Sequence, residues 1–511
     1  MKTREIRKSF FALGLAIAFT ACTSSPQLPK ETVKNPPSGQ SAPISEPRFD
    51  NLKITVLTRD LPTIAEPIAR RAKEFTAKTG AEIEVITVPF EKLYGEIQTN
   101  LQEKSGKYDV MVFAPQWLVD YAELGELEDL GDRIAKDSAL QWEDIAPFFR
   151  NFSTNYKGKT YTIPLDGDFQ MVYYRTDLLT QGGFKPPETW EDYLAIAKHF
   201  QQQDLNADGI PDYGSCIPKK RGKQSYWMFW SIASAFLQSR GTEQGAFFDP
   251  DTMKPLVNNK AFAKALEIYK ETGRYAPDNE LELDVDQTRD LFISGRCALT
   301  LDWGDIGPLA IDSKHSEISD RLGAVILPGT TKVLDRATGE LVVCNDIICP
   351  YEIEGINRAP YAAFGGWSGA INAASDAKTK DAAYAFLSYI SQPAQSNQDV
   401  TLAMTGFNPY RISQFSDREA WIAAGMSLET TSRYLGAIGF SLRSPNVVLD
   451  LRIPRNHDYQ QEVLDTALAD FLEDKITTEQ TMQQIYQGWE NLTNEIGRES
   501  QKIAYRFSLG L

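Results

Sequence analysis

Acidic and indole side chains stand beside glycine in three short segments of the chain, Asp166-Gly-Asp168, Trp303-Gly-Asp305 and Gly365-Gly-Trp367. An indole offers a flat apolar surface to the C–H face of a sugar ring, and an ionised carboxylate accepts two hydroxyl hydrogen bonds at once. Residues of these types, brought to one cleft, could bind a carbohydrate. Trp117, Trp227, Trp230 and Arg411 are weaker candidates for the same surface. Trp227 and Trp230 share an apolar run with Phe229 and Ile232 and read first as core. A second constellation, Asp204-Leu-Asn206-Ala-Asp208-Gly-Ile210-Pro-Asp212, repeats most of the oxygen-ligand spacing of a calcium loop, with Ile210 at the carbonyl position. Ser215 stands where the closing bidentate Glu belongs, so the alternative is a polar turn held by Asx hydrogen bonds. Any ion here would be structural, and no other cofactor is required.

Enzymatic motifs are missing. Gly366-Trp-Ser368-Gly-Ala370 is not a nucleophile elbow, and the chain has neither HExxH nor a phosphate loop. A glycosidase needs two carboxylates flanking a bond, and nothing in the sequence marks such a pair among 69 acids. The reading is therefore a binding protein rather than an enzyme.

The elements that must position these residues are legible by their periods. Leu52 to Thr58 alternates as a strand; Ile64, Ile68, Ala72 and Phe75 follow at helical spacing, and Thr79-Gly80 ends that helix. Ile83 to Val88 reads as a strand, Leu93, Ile97 and Leu101 as a helix, and Tyr108 to Phe113 as a buried strand. Strands alternating with helices imply an α/β fold with a parallel sheet covered on both faces, whose ligands bind outside the carboxyl ends of the strands. The last third is mostly helical, as in 378–390, 460–472 and 478–492.

The chain of 511 residues is long enough for two or three domains, and its net charge is −16. The charge is more negative without residues 1–21, which carry Lys2, Arg4, Arg7 and Lys8 against Glu5. Such a chain is repelled by phosphate backbones, so nucleic acid is excluded as a partner. The basic start leads into a short apolar run, Phe10 to Phe19, too short to span a bilayer, and then Thr20-Ala21-Cys22. This reads as a signal peptide over 1–21. Residues 22–50 are rich in Pro and Ser and read as a disordered tether. Export leaves four cysteines where disulfides persist. Cys344 and Cys349 are close enough for a local bridge, which leaves Cys216 with Cys297 as a pair or as buried thiols.

The end of the signal resembles a bacterial lipoprotein signal, which implies that Cys22 is acylated and anchors the exported protein at the outer face of the membrane. Several segments further resemble extracellular solute-binding proteins of the maltose-receptor type, the sugar-capturing subunits of ABC importers. They are Phe75-Thr-Ala-Lys-Thr-Gly80, Gly106-Lys-Tyr-Asp109, Gly158 to Pro164, Tyr173 to Leu178, Pro187-Glu-Thr-Trp190, Phe292-Ile-Ser-Gly295, Phe364-Gly-Gly-Trp367 and Gly406-Phe-Asn-Pro409. The resemblance implies a two-lobed periplasmic-binding-protein fold with hinge strands, each lobe a sheet flanked by helices. Lobe one would comprise 51–164 plus 328–395, and lobe two 165–327 plus 396–511. Ile163-Pro164 and Leu327-Pro328 would be hinge strands, and Asp166, Asp168, Trp303, Asp305 and Trp367 would contact the ligand. Implied partners are a small carbohydrate and the membrane subunits of an ABC permease. A receptor of the same fold for a polyamine or an iron chelate is the alternative.

Overall fold

The computed structural model describes residues 48–511 apart from Ser313, Phe364 and Met404; the signal segment, Cys22 and most of the tether lie outside these. In chain order, the strands of the two main sheets are Lys53–Arg59 (β1), Glu82–Val88 (β2), Val110–Phe113 (β3), Thr162–Pro164 (β4), Met171–Arg175 (β5), Tyr213–Cys216 (β6), Cys297–Asp302 (β7), Leu322–Ile326 (β8) and Ser368–Ile371 (β9). The first sheet has the order β2-β1-β3-β9-β4 and the second β8-β5-β7-β6.

In the first sheet β2, β1 and β3 run parallel, as the strand–helix alternation requires, whereas β9 is antiparallel to both β3 and β4. The helix Pro62–Thr79 between β1 and β2 starts on a proline that needs no amide partner, and buries Ile64, Ile68, Ala72 and Phe75. It stops at Gly80, whose φ of 81° is left-handed and whose N–H reaches Thr76 O. The second sheet is mixed: β5 pairs antiparallel with β8 and β7, and only β6 runs parallel to β7. Its core includes helix Ser225–Leu237, in which every residue is buried. Helix Leu428–Arg443 packs on β8, and the C-terminal helices Asp465–Leu472 and Thr478–Ile496 cover helices Ser225–Leu237 and Lys260–Thr272.

The chain crosses between the sheets at 165–170 and returns to the first only at Ser368. Leu327-Pro328 ends β8 without leading back. Residues 328–362, expected in lobe one, rest instead on the second lobe: the hairpin of Lys332–Leu334 with Leu341–Val343 packs on helices Ser225–Leu237 and Lys260–Thr272. Asn357 reinforces this by donating to Ala235 O at 2.6 Å and Gln238 O at 2.8 Å. This packing has a physical reason, because two buried carbonyls at the end of an all-buried helix need a donor, and Asn357 supplies it. Cys344 is bonded to Cys349, and Cys216 to Cys297, which joins β6 to β7.

Candidate functional site

The carboxyl ends of β1, β2 and β7 converge with the first crossover on a cavity of about 30 Å³ between the two sheets. From the first sheet come Arg59 at the end of β1, Leu61 and Ile64 just after it, and Phe90 after β2. The second contributes Asp168, Gln224, Trp227, Arg289, Trp303 and Asp305, and Trp367 stands at the entry to β9. A cavity of this size holds about two waters.

Three indoles form its apolar surfaces. Trp227 and Trp303 meet edge to face, with ring centres 5.6 Å apart. Trp227 is fixed by its Nε1, which donates to Asp450 Oδ2 at 2.9 Å. The carbonyl on Trp303 accepts from Tyr173 OH at 2.7 Å, and its N–H donates to Asp302 Oδ1 at 2.6 Å. Arg59 lies over Phe90 at 5.1 Å and over Trp367 at 5.8 Å, cation–π contacts that hold a guanidinium on the cavity wall. Burial lowers the Arg59 pKa to about 10.

The acidic groups divide by role. Arg289 forks onto Asp302 at 2.9 and 2.7 Å and reaches Asp305 at 2.9 Å, so one guanidinium bridges two carboxylates, and Arg59 supplies the second positive charge near Asp305. Asn408 Nδ2 donates to Asp168 Oδ1 at 2.7 Å and to Asp305 Oδ2 at 3.2 Å. Asp166 does not line the cavity: its carboxylate accepts from the N–H of Asn408 at 2.5 Å and of Trp367 at 3.1 Å, tying three crossing segments together. Burial, with the Asp305 charge behind it, pushes Asp166 up to about 7. Burial, Asp166 and Asp305 together push the Asp168 pKa up, which favours the neutral acid, a form that can donate as well as accept.

Gly366 serves the same joint. Its φ is 94°, and a Cβ there would stand 2.2 Å from Asp166 O. The Gly-Gly pair thus lets the turn before Trp367 lie against the first crossover; it does not open the backbone to a ligand.

Of the seven sequence-derived ligand contacts, Asp168, Trp303, Asp305 and Trp367 line one cavity. Trp117 and Arg411 are corrected to structural roles. Trp117 is fully buried behind Phe90, stacked at 5.5 Å. The Arg411 guanidinium is also buried, donating to Leu140 O at 2.9 Å, to Gln141 O at 3.2 Å and to Ser391 O, which satisfies carbonyls of the first lobe. Trp230 packs on Phe247 and Phe262 in the core. Arg59, Phe90, Gln224 and Arg289 carry no local signal, while Trp227 had one that its apolar helix masked.

In the 204–212 loop, where the spacing suggested calcium, the acids are engaged by protein donors. Asp204 accepts from the N–H of Asp208 at 3.1 Å and of Gly209 at 2.9 Å, an Asx turn. Asp212 accepts from Leu205 N–H at 2.8 Å and pairs with Arg296 at 2.9 Å, and Asp208 also pairs with Arg296. A guanidinium bridges the carboxylates that a cation would bridge. Ser215, the closing position, is buried with its hydroxyl on Tyr193 OH at 2.7 Å. Among the described residues no group of three or more acidic, His or Cys side chains is placed to hold a metal.

Two sheets joined by several crossings, with a cleft at their carboxyl ends, define a two-lobed solute-binding protein. The chain belongs to the bacterial extracellular solute-binding protein family, whose model matches residues 70–423. It is 26% identical over 235 residues to the mannitol-binding protein of Pseudomonas aeruginosa, a match covering 45% of this chain and 50% of that protein, so the match spans half of that relative's length. Among solved structures, an ABC transporter solute-binding protein of Agrobacterium radiobacter K84 in complex with ribitol superposes with a TM-score of 0.70 at 22% identity, over 87% of this chain and all of that one. Maltose-bound MalE3 of T. maritima gives 0.67 at 20% identity, over 86% and 100%. These are binding proteins by description, and among the described residues no helix is long and apolar enough to cross a membrane.

Proposed function

We propose that this protein is the solute-capturing subunit of an ABC importer and that it closes its lobes on a small polyol or a single sugar ring. The observation that carries this reading is the set of groups that meet at the small cavity, Trp227, Trp303 and Trp367 with Asp168 and Arg59; a solute larger than two waters would enter with the lobes parted and separate these groups as it binds. Indoles suit C–H faces, and a neutral Asp168 beside a guanidinium offers both donors and acceptors to hydroxyl groups. Arg289 and Arg59 together match the charges of Asp302 and Asp305, which argues against a polyamine, whose ammonium groups need unmatched carboxylates. The mannitol and ribitol partners of two similar proteins support the same class. Contacts from both lobes would favour the closed state, and that state would present the loaded protein to a permease. On this reading binding is the whole task, with no catalytic step, and Cys22 holds the chain at the outer face of the membrane.

A thermal-shift screen with mannitol, ribitol, glucose, maltose and spermidine tests the proposal. A ligand at a hundred times its Kd adds about 2.7 kcal/mol of stability. A polyol or monosaccharide should give the largest shift, insensitive to salt. A shift by spermidine alone, fading with ionic strength, would overturn it. For the anchor, Cys22→Ala should move the protein from the membrane to the soluble exported fraction; retention after a high-salt wash would disprove that assignment.

A further inference from the structure

A second cavity, of about 380 Å³, opens away from the cleft, and both lobes build it. Phe152 and Tyr156 reach it from the first lobe. Leu449, Arg452, Phe507 and Leu509 reach it from segments packed on the second. Tyr156 and Phe507 meet edge to face across the boundary, with ring centres 6.3 Å apart. The volume falls in the usual range for a small-molecule site, and the walls are mostly apolar.

Arg452 is the charged side chain in these walls. Its side chain is 5% exposed, and its guanidinium lies 4.6 Å over the Phe152 ring. Nη2 donates to Asn155 O at 2.8 Å, whereas Nε is buried without a hydrogen-bond partner. Among the described residues no carboxylate lies within ion-pair distance of it. Glu123, the acid on nearby Tyr156, is taken by that hydroxyl and by Lys157. Buried Arg71 and Arg289 have Asp399 and Asp302 beside them, whereas Arg452, like Arg59 and Arg336, has no such partner, and burial lowers its pKa to about 10. A buried, uncompensated guanidinium is costly, and a planar anion would satisfy it with two parallel hydrogen bonds.

We propose that this cavity is a binding site for an amphiphilic organic anion, a carboxylate with an apolar tail, whose head pairs with Arg452 and whose tail lies against Phe152, Leu449 and Phe507. The charge requires the head, and the apolar walls require the tail. Because Arg452 already bridges to Asn155 across the lobe boundary, a bound anion touches both lobes and favours the disposition seen here.

The test is isothermal titration calorimetry on the full-length exported protein carrying Cys22→Ser, with octanoate, 1-octanol and acetate as probes. Octanoate should bind with one-to-one stoichiometry, and 1-octanol and acetate at least about tenfold more weakly, since each lacks one of the two required parts. Arg452→Gln should lose octanoate at least about tenfold. Phe507→Glu, at a half-exposed position that tolerates charge, puts a carboxylate on the cavity wall and should likewise abolish octanoate binding while the protein stays folded. No octanoate binding up to about 10 mM, equal binding of 1-octanol, or parent-like binding to Phe507→Glu would each overturn the proposal.

Discussion

Asn408 and Asp168 are joined at 2.7 Å, amide nitrogen to carboxyl oxygen, although 240 residues separate them in the chain. The same side chain reaches Asp305, and its backbone N–H reaches Asp166. One residue on the last crossing segment therefore sets the orientation of the acid that faces the cavity. Asp168→Ala and Asn408→Ala should each stay folded and lose about 2–4 kcal/mol of ligand affinity, roughly 30- to 800-fold in Kd. Asp168→Asn should retain more, since a neutral Asp168 is the form the cavity favours. Calorimetry with the best ligand from the screen measures all three, and parent-like affinity in Asp168→Ala would move the polar anchor to Asp305.

The indoles divide in the same assay. Trp303→Ala and Trp367→Ala should weaken binding by about 2–4 kcal/mol with little change in the m-value of unfolding. Trp117→Ala, behind Phe90, should instead cost about 3–5 kcal/mol of stability, because it empties a fully buried volume. Equal losses of stability in all three variants would argue that the cavity tryptophans are simply core.

Burial raises Asp120, Asp166 and Asp465 to about 7. A carboxyl with a folded pKa above its unfolded value binds its proton more tightly when folded, so its contribution is complete below about pH 4 and lost as pH rises through about 7. Unliganded protein should therefore melt higher at about pH 5 than at about pH 8, and Asp166→Asn should flatten that dependence. A melting temperature that climbs between these values would contradict the burial argument.

The two disulfides should differ in weight. Cys216–Cys297 spans 81 residues of sequence and Cys344–Cys349 only 5. In the chain-entropy account, opening the first costs about 4.5 kcal/mol and the second about 2 kcal/mol. Denaturant titration of the Cys216→Ser/Cys297→Ser and Cys344→Ser/Cys349→Ser pairs checks the ranking, and a reversed order would show that unfolded-state entropy is not the governing quantity.

Arg296 should do for the 204–212 loop what an ion was expected to do. Adding calcium or a chelator should leave the parent's melting temperature unchanged. Arg296→Ala should lower stability by about 1–3 kcal/mol, since fully buried Asp212 loses its partner. A calcium-dependent rise in the parent would restore the ion.

What the sequence determined by itself lies within single elements and their neighbours. The alternation of β1, Pro62–Thr79, β2 and β3 was legible because strand and helix periods are local. Trp303-Gly-Asp305 and Asp168 were singled out by residue type and by the family resemblance, and the fold brings them to one cavity. Tertiary structure alone decided the antiparallel course of β9, the packing of 328–362 on the second lobe, and the division of the acids between cavity and joint. It also decided that Trp117 and Arg411 face inward and that Arg59, Phe90 and Arg289 face the cavity. Their neighbours lie tens to hundreds of residues away, and an isolated arginine or phenylalanine has the same local pattern on either face. The surroundings of the 204–212 acids were hidden for the same reason: Asp204, Asp208 and Asp212 are local, but Arg296, which binds two of them, arrives from more than eighty residues downstream, just before the neighbouring strand.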